Sequence, residues 1–596
     1  MKAVVLVTIF LTAICLSAQN APQTALANIR SRASISLDGT WNTIIDPYET
    51  GSGAHYYEDA KPKSKGDLVE FDFQHSPKLH VPGDWNTQRE SLLFYEGPLW
   101  YQRNFSYHKR SGVRDFLYFG AANYFARVWL NGKKLGEHIG GFTPFDFDAT
   151  DQLIDGENSV VVEVDNTRHS DGVPALKTDW WNYGGLTRGV RLVEVPETYI
   201  DDYEVQLAKG KADVINGWVQ LAGATRSAEV SIEIPEIRLK QSAQVDDSGH
   251  AVFQFPARVQ LWSPENPKLY QVVISSGDDR VTDEIGFRTI ETRGTQILLN
   301  GKPIFLRGIS MHEEAPFRSG RAFSEEDDRT LLTWAKDLSC NFVRMAHYPY
   351  NEEMVRLADQ MGLLLWEEVP VYWDIQWQNP ATLENARSQL REVISRDRNR
   401  AAIAFWSMSN ETPISPERTQ FLKSLAAYAR QLDATRLITS ALNHWNHNGA
   451  DVRTISDPLG EFLDVLGVNE YIGWYEAKIE DTDHTRWKFA YDKPVIVSEF
   501  GADAQYNLHG DDQTRFTEEY QANLFNHQLA MWHRVPELAG MSPWVLMDFR
   551  SPRRPLPGIQ NYFNRKGLIS DQGQRKQAFY VLQKFYKEKA EQAIAK

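Results

Sequence analysis

Two glutamates occupy equivalent places in two widely separated apolar segments. Residues 405–408 lead through Ser409 and Asn410 to Glu411, and residues 495–497 lead through Ser498 to Glu499. Each segment is typical of a buried strand that carries one carboxyl group at its end. Hydrolysis of a glycoside needs two such groups, one able to donate a proton and one that stays ionised. One strand-end glutamate is better explained as a helix cap or an arginine partner, but the matched pair favours chemistry.

The elements around these glutamates predict a parallel barrel. Strand-like segments alternate mostly with helical ones over about 300 residues, and a capping box at Ser324 opens the first helix. The predicted strands are residues 303–309, 341–345, 363–367, 403–408, 437–441, 465–468, 494–498 and 541–546. Since no Gly-rich phosphate turn follows the first strand, a (β/α)8 barrel is favoured over an open doubly wound sheet. The glutamates then lie at the carboxyl ends of the fourth and seventh strands.

The chain before the barrel has the pattern of β-sandwiches. Short alternating runs broken by Gly, Asn and Asp fill residues 22–196, and the Asn131-Gly132 pair after a strand predicts a tight hairpin. We expect a jelly-roll domain there. Residues 197–291 have the length and alternation of an immunoglobulin-like sandwich, and residues 292–596 remain for the barrel.

Composition and the N-terminus limit the partners and the location. The chain has 596 residues and a formal net charge of −15, which disfavours a nucleic-acid partner. Lys2 and a short apolar run that ends near Ala18 predict a cleaved signal peptide over residues 1–18, hence a secreted or periplasmic protein without a membrane anchor. After cleavage Cys340 is the one cysteine left, so no internal disulfide can form, and we expect a buried thiol.

Several motifs match one known family in order along the chain. They are residues 95–103, 128–141 and 261–267, His347-Tyr348-Pro349, Asn410-Glu411 and Ser498-Glu499-Phe500-Gly501. Together they resemble the signatures of glycoside hydrolase family 2. The resemblance implies the order jelly roll, immunoglobulin-like sandwich and barrel, and it implies hydrolysis with retention of anomeric configuration.

The same resemblance implies roles for individual residues. Glu411 would be the acid/base and Glu499 the nucleophile, with carboxyl groups about 5 Å apart. Asn410 would bind the sugar 2-hydroxyl, and Arg344 and Tyr471 would contact Glu499, lower its pKa and fix its rotamer. Three further residues would surround the sugar: His312 and His347 in the pocket wall, and Trp544 as the stacking floor at the end of the eighth strand.

A separate set of residues bears on which sugar is held. Asn564 and Lys566 resemble the Asn-x-Lys motif with which β-glucuronidases of this family hold the C6 carboxylate. An ammonium beside an amide distinguishes an acid from a primary alcohol. By resemblance, Asp179 lies on a loop that enters the pocket, and Tyr475 touches the sugar. The substrate would be a β-glucuronide or an acidic oligosaccharide.

Other readings stay open at this point. A β-galactosidase of the family would not need Lys566, whereas a β-galacturonidase would keep it. A carbohydrate-binding protein without activity is the alternative from another class. We expect no metal and no cofactor, because His444 and His447 lack convincing ligand spacing. A homo-oligomer is compatible with the sequence.

Two departures from the family pattern concern the mouth of the pocket. Residues 550–560 form a long segment with arginines at 550, 553 and 554. These arginines could assist the carboxylate site, bind an extended acidic glycan or pair with surface acids. No pocket-covering insertion follows Glu368, which predicts an open pocket that admits oligosaccharide ends.

Overall fold

The structure is a computed structural model that describes residues 24–59, 64–66, 72–223, 229–444 and 451–594. The predicted signal peptide, residues 1–18, lies outside the described residues. Among the described residues, no helix is both long and apolar enough to cross a membrane.

The first domain is a sandwich of two antiparallel sheets. One has four strands in the order β1-β10-β5-β8, and the other has six in the order β3-β2-β4-β9-β6-β7. The strands are β1 (Ser34–Ser36), β2 (Gly39–Ile45), β3 (Lys78–Val81), β4 (Pro98–Tyr107), β5 (Val113–Phe119), β6 (Phe125–Leu130), β7 (Lys133–Ile139), β8 (Phe145–Asp148), β9 (Gly156–Asp165) and β10 (Val190–Pro196), with one short helix, α1 (Trp85–Gln88).

Alternation of side chains explains why these strands pack as layers. Along β6, Ala126, Val128 and Leu130 face a core that also receives Val162 and Leu117 from other strands. The predicted hairpin between β6 and β7 is present, with φ of 51° at Asn131 and 76° at Gly132. Asparagine and glycine are the residues that tolerate this left-handed backbone.

The second domain is a smaller sandwich of seven strands. Its sheets have the orders β11-β12-β15 and β14-β13-β16-β17. The strands are β11 (Thr198–Leu207), β12 (Val214–Gly223), β13 (Glu229–Ile234), β14 (Leu239–Gln244), β15 (His250–Pro256), β16 (Tyr270–Ser276) and β17 (Asp279–Ile285). A three-stranded sheet, β18 (Ile290–Arg293), β19 (Gln296–Leu299) and β20 (Lys302–Pro303), leads into the barrel.

The third domain is a closed barrel of eight parallel strands, as predicted. These are β21 (Leu306–Met311), β22 (Phe342–Met345), β23 (Leu364–Glu368), β24 (Ile403–Asn410), β25 (Leu437–Leu442), β27 (Leu466–Asn469), β29 (Val495–Glu499) and β30 (Leu538–Met541). Four short strands lie outside the barrel: β26 (Val452–Ile455), β28 (Arg486–Phe489), β31 (Phe549–Arg550) and β32 (Phe563–Asn564). The helices are α2 (Glu325–Asp337), α3 (Glu352–Met361), α4 (Pro380–Asp397), α5 (Pro416–Leu432), α6 (Glu518–His533) and α7 (Gln577–Ile594). The fold class is therefore confirmed.

The eighth strand lies earlier than predicted. We expected it at residues 541–546, but it spans Leu538–Met541 and pairs with β21 and β29. Pro543 has no N–H to continue a ladder, so the strand ends before the apolar run does. Trp544 consequently lies beyond the strand, and its backbone N–H bonds to the carbonyl of Phe500.

The first barrel strand also begins later than predicted, because Lys302–Pro303 pairs with β19 instead. Cys340 is buried between α2 and β22, and burial raises the pKa of its thiol. This placement agrees with a structural role.

Candidate active site

The carboxyl end of the barrel opens into a cavity of about 1080 Å³. Strand ends and the loops after them supply its walls, as is usual for this fold. The lining includes Asp179, His347, Tyr372, Trp373, Glu411, Ile414, Asn469, Tyr471, Tyr475, Glu499, Trp544, Arg553, Arg554, Asn564 and Lys566. The two predicted catalytic glutamates thus face one space.

Glu411 follows directly after β24, in a left-handed conformation with φ of 51°. Its backbone N–H bonds to the carbonyl of Ala441 at 2.9 Å. Its carboxylate accepts hydrogen bonds from the Trp373 indole at 2.9 Å and from Asn469 Nδ2 at 3.1 Å. Asn469 is itself held by Ser498, whose hydroxyl donates to its Oδ1 at 2.6 Å. The orientation of Glu411 is therefore set by the segment after β23 and by the end of β27.

Glu499 ends β29 and is only 4% exposed. Arg344 Nη1 donates to one carboxylate oxygen at 2.8 Å, and the Tyr471 hydroxyl donates to the other at 2.8 Å. Burial raises the pKa of Glu499, the charge of Glu411 raises it further, and Arg344 and His347 oppose the rise. The predicted contacts are present, but the expected downward pKa shift is wrong: the net direction is upward, because burial and Glu411 outweigh the cation.

Arg344 is completely buried and connects several strand ends. It binds Glu368 at 3.0 Å and donates to Asn410 Oδ1 at 2.7 Å. Burial alone would lower the guanidinium pKa, but Glu368 and Glu499 outweigh it and raise the pKa. Burial likewise favours a neutral Glu368, yet Arg344, His347 and Trp366 bring the Glu368 pKa to about 2. Arg344 therefore stays charged between two carboxylates.

The side-chain amide of Asn410 has its oxygen engaged, whereas its nitrogen has no partner among the described residues. Its Oδ1 accepts from Arg344 and from Asn469. Within the described part of the chain, its buried Nδ2 meets no hydrogen-bond acceptor. A buried amide N–H that lacks a partner costs free energy until a ligand oxygen accepts it. This arrangement suits the predicted contact with a sugar hydroxyl.

The two predicted histidines differ in their positions. His347 lines the cavity, bonds Glu368 at 2.7 Å and stacks on Trp544 with ring centroids 4.9 Å apart. His312 lies behind that layer, with ring centroids 5.2 Å from Trp544 and 4.0 Å from Phe549. Burial lowers the His312 pKa well below its usual value. We find His312 supporting Trp544 rather than lining the cavity.

Lys566 lines the cavity and is 1% exposed. Its ammonium binds Asp503 at 2.6 Å and donates to the Tyr475 hydroxyl at 2.7 Å. One of its three N–H donors remains, and the Tyr475 hydroxyl keeps its own proton to donate. Asn564, completely buried, accepts the Lys566 backbone N–H at 3.2 Å. This cluster of Lys566, Tyr475 and Asn564 offers positive charge and donors to an anion.

Asp179 reaches this cluster from the first domain. It accepts from Ser551 and Arg554 at 2.8 Å each and from Asn564 at 3.0 Å. These contacts tie the segment after the eighth strand to the jelly roll. The basic segment is thus partly neutralised by a carboxylate that is nearly 400 residues away in sequence.

Sequence reasoning missed Asp503, Glu368, Asn469 and Trp373. Each holds a predicted site residue in place: Asp503 binds Lys566, Glu368 binds Arg344, and the other two bind Glu411. Asp503, Glu368 and Asn469 lie at or just after strand ends, a signal that could have suggested them.

A metal centre has no support among the residues that the structure describes, since no cluster of three or more His, Cys, Asp or Glu could hold an ion. His444 bonds the Asn469 carbonyl at 2.7 Å and Glu476 at 2.6 Å. His447 lies outside the described residues.

The barrel follows two β-sandwiches along the chain, and two carboxyl groups face one cavity at its carboxyl end. This combination defines a glycoside hydrolase. Three family profiles match the chain: the TIM barrel domain of glycosyl hydrolases family 2 over residues 290–590, its sugar binding domain over residues 35–196, and a glycosyl hydrolases family 2 profile over residues 198–288. The chain belongs to glycoside hydrolase family 2.

Similar proteins include β-glucuronidases. The chain is 29% identical to the β-glucuronidase of Paenibacillus borealis, over 93% of this chain and 97% of that protein. It is 30% identical to the β-glucuronidase of Rattus norvegicus, over 85% and 84%. The structure resembles that of Bifidobacterium dentium β-glucuronidase complexed with coumarin-3-O-glucuronide, with a TM-score of 0.82, 26% identity and coverage of 94% and 98%. The Ruminococcus gnavus β-glucuronidase in complex with D-glucuronic acid gives a TM-score of 0.80, 26% identity and coverage of 93% and 98%.

Proposed function

We propose that this glycoside hydrolase is a retaining exo-β-glucuronidase that releases terminal β-glucuronic acid. The observation that carries the proposal is the buried Lys566 ammonium, held beside Tyr475 and Asn564 in the cavity that Glu411 and Glu499 line. The related β-glucuronidases support the same assignment.

In the first step Glu499 attacks the anomeric carbon while Glu411 protonates the departing glycosidic oxygen. Arg344 and Tyr471 hold the two oxygens of the nucleophile, so its rotamer is set before substrate arrives. Asn410 has a buried Nδ2 aimed at no described acceptor, and a sugar 2-hydroxyl would accept its hydrogen bond. Such a contact strengthens as charge develops in the transition state.

In the second step Glu411 changes from general acid to general base. It removes a proton from water, which attacks the anomeric carbon and frees Glu499. Two displacements at one carbon return the original β configuration. Trp373 and Asn469 donate to Glu411 in its ionised form, which is the form that must act as base.

The C6 carboxylate of the sugar is assigned to Lys566. The ammonium already binds Asp503, so its charge is partly neutralised before substrate binds. The third ammonium donor and the Tyr475 hydroxyl together supply charge-assisted hydrogen bonds that a primary alcohol would use poorly. A β-galactosidase has no need of this arrangement, whereas a β-galacturonidase would share it and differ at C4.

Rates on matched nitrophenyl glycosides test the proposal. We expect 4-nitrophenyl β-glucuronide to be hydrolysed far faster than the β-galacturonide and the β-galactoside. Glu499→Gln should abolish turnover of all three. A preference for the galactoside would overturn the sugar assignment, and undiminished turnover by Glu499→Gln would overturn the mechanism.

We also propose that the protein is exported. The support is the N-terminal pattern of Lys2 followed by a short apolar run and small residues near Ala18. N-terminal sequencing of protein recovered from the periplasm or the medium should begin near residue 19. Recovery of the uncleaved chain in the cytosol would contradict export.

A further inference from the structure

Three cations line the cavity near the sugar site, and they differ in their pairing. Lys566 binds Asp503 at 2.6 Å, and Arg554 binds Asp179 at 2.8 Å. Arg553 is exposed, and no carboxylate among the described residues lies within ion-pair distance of its guanidinium. Its positive charge is therefore available to a ligand.

Arg553 is held in place although no described carboxylate pairs with it. Its guanidinium lies over the Trp373 indole, 4.7 Å from the ring centroid. Its backbone N–H donates to the Ser551 hydroxyl, which in turn donates to Asp179. Stacking on an indole orders an arginine and leaves its in-plane N–H groups free to donate.

The position of Arg553 places it on the leaving-group side. Trp373, on which it stacks, donates to Glu411 at 2.9 Å. In the proposed mechanism Glu411 protonates the leaving oxygen, so the group attached to that oxygen must pass this indole. Lys566, which is 1% exposed, lies with the sugar that is released. Arg553 is thus placed to contact the second sugar, because the Trp373 indole lies between it and the acid/base Glu411.

The nearby acids do not neutralise this cation. Glu476, which also lines the cavity, is bound to Arg453 at 3.0 Å and to His444 at 2.6 Å. With a net charge of −15, the protein as a whole does not attract anions. An exposed arginine that has no ion-pair partner in the described part of the chain creates a local site that attracts them.

We propose that Arg553 and Trp373 form a subsite for an anionic group, carboxylate or sulfate, on the sugar that follows the cleaved bond. The planar guanidinium matches both anions through paired hydrogen bonds. This inference rests on the proposed exo-β-glucuronidase activity and adds the class of leaving group. The preferred substrates are ends of acidic oligosaccharides rather than neutral glucuronides.

Three disaccharides test the subsite. They share a terminal β-glucuronosyl group and one linkage, and differ only at C6 of the second sugar, which carries a hydroxymethyl group, a carboxylate or a sulfate ester. The measured quantity is the ratio of kcat/KM on each anionic disaccharide to that on the neutral one. We expect a ratio of about five in the wild type, the scale of a partly exposed ion pair. Salt near 1 M should reduce it by screening.

Arg553→Gln should bring the ratio to about one, mainly through KM. The control is Arg293→Gln, which removes an exposed arginine outside the cavity and should keep the wild-type ratio. Arg553→Lys keeps the charge but loses the planar fork, and should give an intermediate ratio. Whether carboxylate or sulfate gives the larger ratio identifies the anion.

The results that overturn the proposal are separate from those that overturn the glucuronidase assignment. A wild-type ratio of one or less, or an unchanged ratio in Arg553→Gln, rejects the subsite. If the wild type cleaves no glucuronide, the glucuronidase assignment fails. In that case, disaccharides are made in which the sugar that the enzyme does cleave carries the same three second sugars. The effect of Arg553→Gln on the kcat/KM ratio then tests the subsite independently of the glucuronidase assignment.

Discussion

At the scale of single residues, most of the chemistry depends on charges that are buried in pairs. Arg344 lies between Glu368 and Glu499, and Lys566 lies against Asp503. A buried charge without its partner is strongly unfavourable. Substitution of one member therefore changes the charge that its partner presents to the substrate.

Lys566→Met should lower kcat/KM for 4-nitrophenyl β-glucuronide by about a hundredfold or more. The substitution removes the cation, and it leaves the buried Asp503 carboxylate to repel the substrate carboxylate. Initial rates measure the effect, with the exposed Lys133→Met as control and thermal melting to verify folding. A loss of less than threefold would contradict the role of Lys566.

Tyr471→Phe should shift the acidic limb of the kcat/KM pH profile to higher pH. The hydroxyl donates to Glu499 and favours its ionised form, so removing that bond raises the Glu499 pKa. Because Glu499 must be ionised to attack, activity then appears only at higher pH. The exposed Tyr48→Phe is the control. A shift to lower pH would contradict this reading of the contact.

At the scale of elements, the strand ends were predictable and the contacts between loops were not. Apolar runs that end in polar residues placed Glu411 and Glu499 at the carboxyl ends of the fourth and seventh barrel strands, and these positions are confirmed. The eighth strand was misplaced, since residues 541–546 are mostly apolar but contain Pro543, which cannot continue a ladder. The pattern of apolar residues in a sequence indicates which residues are buried, not whether they form a strand. Trp544 is buried but lies outside the strand.

The partners of the site residues depend on tertiary contacts that no local pattern contains. Asp503 and Lys566 are 63 positions apart, and Asp179 and Arg554 are 375 apart. The same limit applies to the pKa of Glu499. Its contacts with Arg344 and Tyr471 followed from the family pattern, but the degree of burial that raises the pKa did not.

Asp179→Asn should lower kcat/KM for the glucuronide by about tenfold or more. The reason is that the loop from the first domain positions the cluster of Lys566, Tyr475 and Asn564 that binds the substrate carboxylate. The substitution removes the carboxylate that Arg554, Ser551 and Asn564 share. Initial rates measure the loss. Asp171→Asn, an exposed change in the same loop, is the control, and equal rates in the two variants would argue against positioning by Asp179.

At the scale of the whole molecule, buried ion pairs join the second domain to the barrel. Asp283 in β17 binds Arg356 of α3 at 2.9 Å and also binds Arg400, just before β24. Burial favours a neutral Asp283, but Arg400 and Arg356 outweigh it and lower the pKa well below its usual 3.8. Arg400 precedes the amino end of β24, the end opposite Glu411, so this junction affects stability rather than catalysis.

Asp283→Asn should lower the melting temperature at pH 7 by roughly 5 °C, because it removes the carboxylate that the buried Arg356 and Arg400 share. The stabilisation from a carboxyl with a depressed pKa is present above the unfolded value of 3.8 and is lost as pH falls. The difference from the wild type should therefore shrink below about pH 4. Asp278→Asn, an exposed change in the same domain, is the control, and a difference that grew on acidification would contradict the assignment.

The most direct test of the two-glutamate mechanism is mass spectrometry of the enzyme after reaction with a 2-deoxy-2-fluoro-glucuronosyl fluoride. Such a reagent forms the covalent intermediate and slows its hydrolysis. We predict one fluoroglucuronosyl group per chain, on the peptide that contains Glu499, and accumulation also in Glu411→Ala, which lacks the base for the second step. Labelling of a different residue, or turnover with inversion and no labelled peptide, would contradict the mechanism.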